Sequence, residues 1–263
     1  MSATTSSDII PRRFAKLRAA DRRALVVYVT AGHPDRARSL ALLQGLEANG
    51  ASIVEVGVPF SDPMADGPII QASSHRALAG GMSFERTLDL VAAAGVELPV
   101  VLFTYLNPLI AAGKDALERA AAAGVHGVLV TDLPVGADPA REEWVGSGPL
   151  AFIRLVAPTT PLARMREIAA HGSGFVYLIS RLGVTGLRSD LPVGLAESVA
   201  ALRGCTDLPI CCGFGISKPH QAAAVARMAD GVVIGSAVVQ KAETEIEGAL
   251  ALVAAMRASM DAS

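Results

Sequence analysis

Cysteine is scarce in this chain of 263 residues, with Cys205, Cys211 and Cys212 its only three. So few, in an odd number, cannot form a disulfide framework and point to a reducing compartment, so a cytoplasmic address is expected. Cys211 and Cys212 stand in an apolar run and read as small buried hydrophobes. An excess of one charge is also missing. Lys and Arg number 23 against 25 Asp and Glu, a formal net charge of −2, which removes the basic footprint of a nucleic-acid binder. No stretch approaches the ~18 uninterrupted apolar residues of a spanning helix, so no membrane is expected. The opening MSATTSSDIIPRRFAKL has no apolar segment behind a basic one and does not read as a secretory signal.

Two catalytic apparatuses are missing as well. The lysines are Lys16, Lys114, Lys218 and Lys241, all in expected helices or loops. None stands inward on a strand, which disfavours a Schiff-base aldolase. The histidines His33, His75, His126, His171 and His220 form no close pair, and no Asp/Glu/His cluster has metal-ligand spacing, so no metal is expected. His33, in the first strand-to-helix loop, reads as a solvated loop residue ahead of a catalytic one.

What is present is a hydrophobic content of 51%, ample for a large core without staples. Short β-branched runs alternate with alanine-rich stretches. The expected strands are Ala24–Thr30, Ser52–Val58, Pro99–Phe103, Gly127–Val130, Ala151–Val156, Phe175–Ser180, Leu208–Cys212 and Gly231–Ile234. Most are nearly continuous apolar runs, as in parallel strands covered on both faces. Helices are expected over segments such as Arg36–Ala48, Phe84–Ala94, Lys114–Ala123, Leu162–Ala170, Val193–Arg203, His220–Met228 and Ile246–Met256, with one more at Ile9–Ala19. Eight βα units and no linker predict one (β/α)8 TIM barrel domain over residues 1–263, preceded by that N-terminal helix. The first βα turn, TAGHPD, is not the glycine fingerprint of a dinucleotide fold.

Barrel active sites lie at the C-terminal ends of strands. On the second strand, alternation sends Val54, Val56 and Val58 toward the helices and Ile53, Glu55 and Gly57 into the barrel. A carboxylate there is costly unless paired or functional. Either an inward Arg154 on the fifth strand neutralises Glu55, or the space above it at Gly57 is kept for a ligand. In the loop that follows, Asp62 and Asp66 are either turn formers beside Pro and Gly or contribute a second carboxylate opposite Glu55. Phe175, Tyr177 and Ile179 share a face of the sixth strand, and the stretch Leu182–Leu191 beyond it is a lid candidate. Gly213 and Gly215 after the seventh strand, with Gly235 and Ser236 after the eighth, form a candidate phosphate cradle at a helix start.

The stretch from Glu55 to Gln71, EVGVPFSDPMADGPIIQ, resembles the signature of the tryptophan synthase α-subunit family. The likeness continues, in the family's order, through Tyr105-Leu-Asn107-Pro108, Thr131-Asp132-Leu-Pro134, Tyr177 to Gly186, Gly213-Phe-Gly-Ile-Ser and Gly235-Ser236. It implies retro-aldol cleavage of indole-3-glycerol phosphate to indole and glyceraldehyde 3-phosphate, with no cofactor in this chain. Glu55 then matches the acid/base and Asp66 the carboxylate that stabilises the indole nitrogen. Tyr28, Ile70, Phe103, Leu129, Tyr177, Phe214 and Ile234 are implied around the indole. Gly186, Gly213, Gly215, Gly235 and Ser236 are implied at the phosphate, with Thr185 on the lid. The resemblance further implies an α2β2 assembly in which Pro59, Asp62, Asn107 and Pro108 dock a β-subunit that carries pyridoxal phosphate. Another phosphate-binding barrel, such as an isomerase, would share the glycines without needing both carboxylates. A non-catalytic binding partner would need neither.

Overall fold

The computed structural model describes residues 6–179, 194–213 and 215–263. Helix α1 (Ile9–Ala19) leads into β1 (Ala24–Thr30), α2 (Arg36–Leu46) and β2 (Ile53–Gly57). Two helices, α3 (Pro68–Ala79) and α4 (Phe84–Ala94), precede β3 (Val100–Thr104), and two more, α5 (Leu106–Ala112) and α6 (Ala116–Ala122), precede β4 (Gly127–Val130). Then come α7 (Pro139–Gly146), β5 (Ala151–Val156), α8 (Leu162–Ala170), β6 (Val176–Ile179), α9 (Leu195–Arg203) and β7 (Ile210–Gly213). The chain ends with α10 (Pro219–Ala226), β8 (Gly231–Ile234), α11 (Ser236–Thr244) and α12 (Ile246–Asp261). All strands pair in parallel, in sequence order, and β8 closes on β1. The expected (β/α)8 barrel is therefore present, with every expected strand in its place.

Alternation along the strands sorts the core into two layers. Val54, Val56 and Val58 pack outward with Leu42, Leu46, Leu102 and Val128 between barrel and helices. Ile53, Val101, Leu129, Ile153, Phe175, Tyr177, Cys211 and Val233 point inward, and Ile10, Phe14 and Leu17 of α1 join them. The rings of Phe14 and Phe175 meet with centroids 5.8 Å apart, so α1 closes the end of the barrel away from the strand C-termini. Cys211 and Cys212 are both fully buried, as expected, one in each layer.

Local signals start several helices. Asp35 accepts from the Arg38 amide at 2.9 Å and Asp138 from the Arg141 amide at 3.1 Å, satisfying amides that the first turn leaves unpaired. The sequence reading did not mark α3, α5, α7 and α11. Each is 7 to 12 residues long, no shorter than the expected α6. Asn107 and Pro108 lie in the first turn of α5.

Arg154 faces out of the barrel. Its Nη2 lies 3.1 Å from Oε2 of Glu142, and it donates to the carbonyls of His171 and Leu133 at 3.0 Å each. The ion pair with Glu55 that the sequence left open is thereby excluded. Arg154 and Glu142 are only 5% and 10% exposed, so breaking the pair strands a desolvated charge. Arg154→Ala should cost about 3–5 kcal/mol in denaturant unfolding, read as a lower midpoint at unchanged slope. A loss under about 1 kcal/mol would mean that solvent screens the pair.

Candidate active site

Glu55 sits at the centre of β2, register-paired to Tyr28 on β1 and Val101 on β3. It is 1% exposed, and its Oε1 meets no hydrogen-bond partner among the described residues. Burial without a cation pushes its pKa up to about 8, because desolvation penalises the charged form. At neutral pH this group is a carboxylic acid.

The loop 58–67 presents the second carboxyl. Asp66 follows a turn in which its amide donates to the Pro63 carbonyl at 3.0 Å, and Pro68 then opens α3. Gln71 folds back to donate to the Asp66 carbonyl at 2.9 Å, fixing the backbone. The Asp66 carboxylate accepts from the Tyr105 hydroxyl at 3.0 Å, and that hydroxyl accepts in turn from the Ala65 amide at 2.9 Å. Burial raises the Asp66 pKa to about 6, against the lowering effect of the Tyr105 hydrogen bond. The two loop aspartates thus divide. Asp62 is exposed beside Ser61 as a turn residue, whereas Asp66 lines a pocket with Glu55.

That pocket is formed by Tyr28, Glu55, Asp66, Ile70, Phe103, Tyr177, Gly215, Val233, Gly235 and Ser236, and holds about 460 Å³ of empty space out to its open mouth. Tyr28 and Phe103 meet edge to face with centroids 5.2 Å apart. Gly57 does not leave open volume over Glu55, as the sequence suggested. A Cβ there would lie 2.1 Å from the Tyr28 hydroxyl, so the phenol occupies that room. Gly213 is used in the same way, since its Cβ would lie 2.2 Å from the hydroxyl of Tyr177. On the far side, Gly235 precedes α11 and Ser236 begins it, with no side chain capping the helix. Such an end offers free amides and the positive pole of the helix to an anion.

Nine expected binding or catalytic residues therefore meet at one pocket: Tyr28, Glu55, Asp66, Ile70, Phe103, Tyr177, Gly215, Gly235 and Ser236. Leu129 points into the barrel but is fully buried and is not among the residues that line the pocket. Ile234 faces outward into the helix layer, because alternation from the inward Val233 turns it away. Val233 is the lining residue that sequence reasoning missed, and the same alternation could have found it. Thr185, Gly186, Phe214 and the lid candidate Leu182–Leu191 lie outside the described residues. His33 is not solvated. It is 5% exposed and its Nε2 lies 3.0 Å from Oε2 of Glu243. No helix among the described residues is long and apolar enough to cross a membrane, and no group of three or more His, Cys, Asp or Glu among them could hold a metal ion.

A second groove, formed by Phe60, Asp62, Met64, Ala65, Tyr105, Leu106, Asn107, Ile110 and Asp132, adjoins the pocket through Tyr105. Met64 is 87% and Ile110 39% exposed. Of the expected interface residues, Asp62 and Asn107 are exposed and line this groove, Pro108 is half-buried, and Pro59 is buried within the chain.

A closed parallel barrel with its pocket at the strand ends defines a (β/α)8 enzyme. A family model described as tryptophan synthase alpha chain matches residues 14–262. The tryptophan synthase alpha chain of Caulobacter vibrioides is 46% identical over 244 residues, covering 91% of this chain and 88% of that one. The structure of Mycobacterium tuberculosis tryptophan synthase superimposes with a TM-score of 0.88 at 36% identity, covering 95% of this chain and 97% of that one. Tryptophan synthase subunit alpha from Legionella pneumophila gives 0.88 at 33% identity, covering 99% and 100%. The chain belongs to the tryptophan synthase alpha chain family, and is accordingly a lyase of tryptophan biosynthesis.

Burial of Glu55 couples stability to pH. Its pKa in the folded chain lies above the ordinary 4.5, so its contribution to stability is full below about pH 4.5 and lost as pH rises through about 8. Glu55→Gln lacks this dependence. In denaturant melts the variant should gain on the wild type between about pH 5 and pH 9 and be the more stable at the upper end. A difference that stays constant over that range would contradict an isolated buried carboxyl.

Proposed function

We propose that Glu55 and Asp66 together cleave indole-3-glycerol phosphate to indole and glyceraldehyde 3-phosphate. The observation that carries this reading is a pair of carboxyls tuned apart in one apolar pocket. Glu55 stays protonated up to about pH 8 while Asp66 ionises above about 6, and divergent values mark acid and anion roles. Glu55 gives its proton to the indole carbon that bears the side chain, which makes the ring an iminium-type electron sink. The Asp66 carboxylate accepts the ring N–H and stabilises the positive charge that develops there. Glu55, now a carboxylate, takes the proton from the hydroxyl on the adjacent side-chain carbon. That carbon becomes an aldehyde, the carbon–carbon electrons return to the ring, and indole leaves with Glu55 again protonated. The uncapped start of α11 at Ser236 suits the phosphate.

No step needs a Schiff base, and no lysine is among the described residues that line the pocket. We therefore assign the pyridoxal phosphate of the assembly to a β-subunit and none to this chain. The groove with exposed Met64 and Ile110 is the surface that this partner would cover in an α2β2 complex. Indole is small and apolar, and a docked partner would keep it from escaping into water. Three free cysteines fit a cytoplasmic setting, and the closed barrel fits a single domain over residues 1–263.

Glu55→Gln should lower kcat by at least ~10²-fold while binding of a phosphate-bearing ligand stays near the wild-type level. Asp66→Asn should also lower turnover steeply. For the wild type, kcat/KM should rise as pH passes about 6, where Asp66 ionises, and fall as it passes about 8, where Glu55 loses its proton. A Gln variant that keeps more than a few per cent of activity would remove Glu55 from the chemistry. Adding a cognate β-subunit should raise the lyase rate of the wild type, and should do so less for Asp62→Ala combined with Asn107→Ala. No complex on size exclusion, with an unchanged rate, would make the chain a stand-alone lyase.

A further inference from the structure

Gln71, Ser74 and His75 are spaced i, i+3 and i+4 along α3, so they share one face of the helix. All three reach the backbone of the loop 58–67. Ser74 Oγ accepts from the Phe60 amide at 3.1 Å, and His75 Nε2 lies 3.2 Å from the Ser61 carbonyl, near the start of the loop. Gln71 takes the other end. Its Nε2 donates to the Asp66 carbonyl at 2.9 Å and to the Pro63 carbonyl at 3.3 Å. Both partners can only accept, so the amide has one orientation and both of its N–H bonds are committed. The Pro63 carbonyl also accepts from the Asp66 amide at 3.0 Å. Gln71 therefore clamps the turn in which Asp66 stands. The helix that supplies the clamp is held to the barrel through Ser73, whose Oγ donates to the Ile70 carbonyl at 2.8 Å and lies 2.7 Å from the Thr30 hydroxyl of β1.

We propose that Gln71 is a positioning residue for the cleavage, its side-chain amide setting the place of the Asp66 carboxylate. The inference rests on the reaction proposed above. Gln71 is not among the described residues that line the pocket, so it acts through Asp66 and not on the substrate. An aspartate side chain has two torsions. The turn and Gln71 hold its backbone, and the Tyr105 hydroxyl holds Oδ2 at 3.0 Å. With both ends tied, little freedom is left to Oδ1. A carboxylate that meets charge developing on the ring nitrogen works best when it is in place beforehand. Folding needs the clamp much less than catalysis does. Both Gln71 bonds are only part-buried, so water can replace the amide at either carbonyl, but it cannot hold the two carbonyls in one fixed relation.

The test uses the full chain, alone and with a β-subunit, and two variants. Gln71→Met keeps the length of the side chain and removes both donors, and Gln71→Glu turns an acceptor toward the two carbonyls. In Gln71→Met the amides of Met64, Ala65 and Asp66, each hydrogen-bonded in the wild type, should exchange faster, while the denaturant midpoint stays near that of the wild type. On indole-3-glycerol phosphate kcat should fall about 10- to 100-fold, the range in which a misplaced catalytic group costs rate, with KM held within about threefold. Gln71→Glu should lose at least as much. In an Asp66→Asn background Gln71→Met should cost less than about twofold more, because the group it positions is already altered. The same loss in both backgrounds would overturn the proposal, since Gln71 would then act without Asp66. Unchanged kcat or unchanged exchange in Gln71→Met would overturn it as well. If the wild type itself releases no indole, the reaction is misread and the catalytic role falls with it, an outcome that the wild type alone tells apart from the others.

Discussion

A carboxyl buried in a barrel without a cation is the constraint around which this molecule is arranged. An ionised Glu55 at that place would cost several kcal/mol in lost hydration. Among the described residues no cation compensates it, because Arg154 on β5 points out of the barrel and is paired with Glu142. Protonation is then the cheaper state, and a proton held at neutral pH is what an acid catalyst needs. The same absence of a partner that makes Glu55 unfavourable for folding makes it useful for chemistry. The outer layer between strands and helices buries enough apolar side chains to carry that liability.

The pocket above Glu55 follows from how the barrel handles its tyrosines. Tyr28 on β1 and Tyr177 on β6 both line the pocket. Each leans across the next strand where that strand has a glycine, Tyr28 over Gly57 and Tyr177 over Gly213. The two glycines act through the absence of a Cβ and not through an unusual backbone angle. With the rings laid aside, the remaining space is bounded by Ile70, Phe103 and Val233 and by two carboxyls. An aromatic, weakly basic substrate is a natural occupant of such a slot.

Much of this was legible in the sequence, and the reasons differ from residue to residue. Glu55 stood out because a charge on an apolar strand violates the local pattern, and alternation fixed its direction. Asp66 did not stand out from Asp62 on spacing alone. What separates them is Tyr105, which lies 39 residues away from Asp66 in sequence and reaches it only in the folded chain. Ile234 was assigned to the slot although its neighbour Val233 fills that place, and a slip of one residue on a strand exchanges inside for outside. The roles of Gly57 and Gly213 were invisible as well, since a glycine that makes room for a ligand and one that makes room for a tyrosine look alike in sequence. Four short helices went unmarked, α3 among them, and α3 sets both the backbone after Asp66 and the Ser73 link to Thr30.

Tyr105 also explains how a groove on the outside can be felt at the reacting atoms. Its ring packs against Phe60 at 5.2 Å between centroids, and both residues line the groove that holds Met64 and Ile110. Its hydroxyl touches Asp66 and Ala65 in the loop on the other side. One rigid side chain is thus shared between a surface with exposed apolar residues and the carboxylate of the pocket. Covering the groove would further desolvate the Tyr105–Asp66 bond, and a hydrogen bond to a charged acceptor strengthens as the surrounding dielectric falls. The loop 58–67 is short, turned at Pro63 and tied down through Gln71. Phe60, Tyr105 and Asp66 thus form a continuous run of contacts from the groove to the pocket.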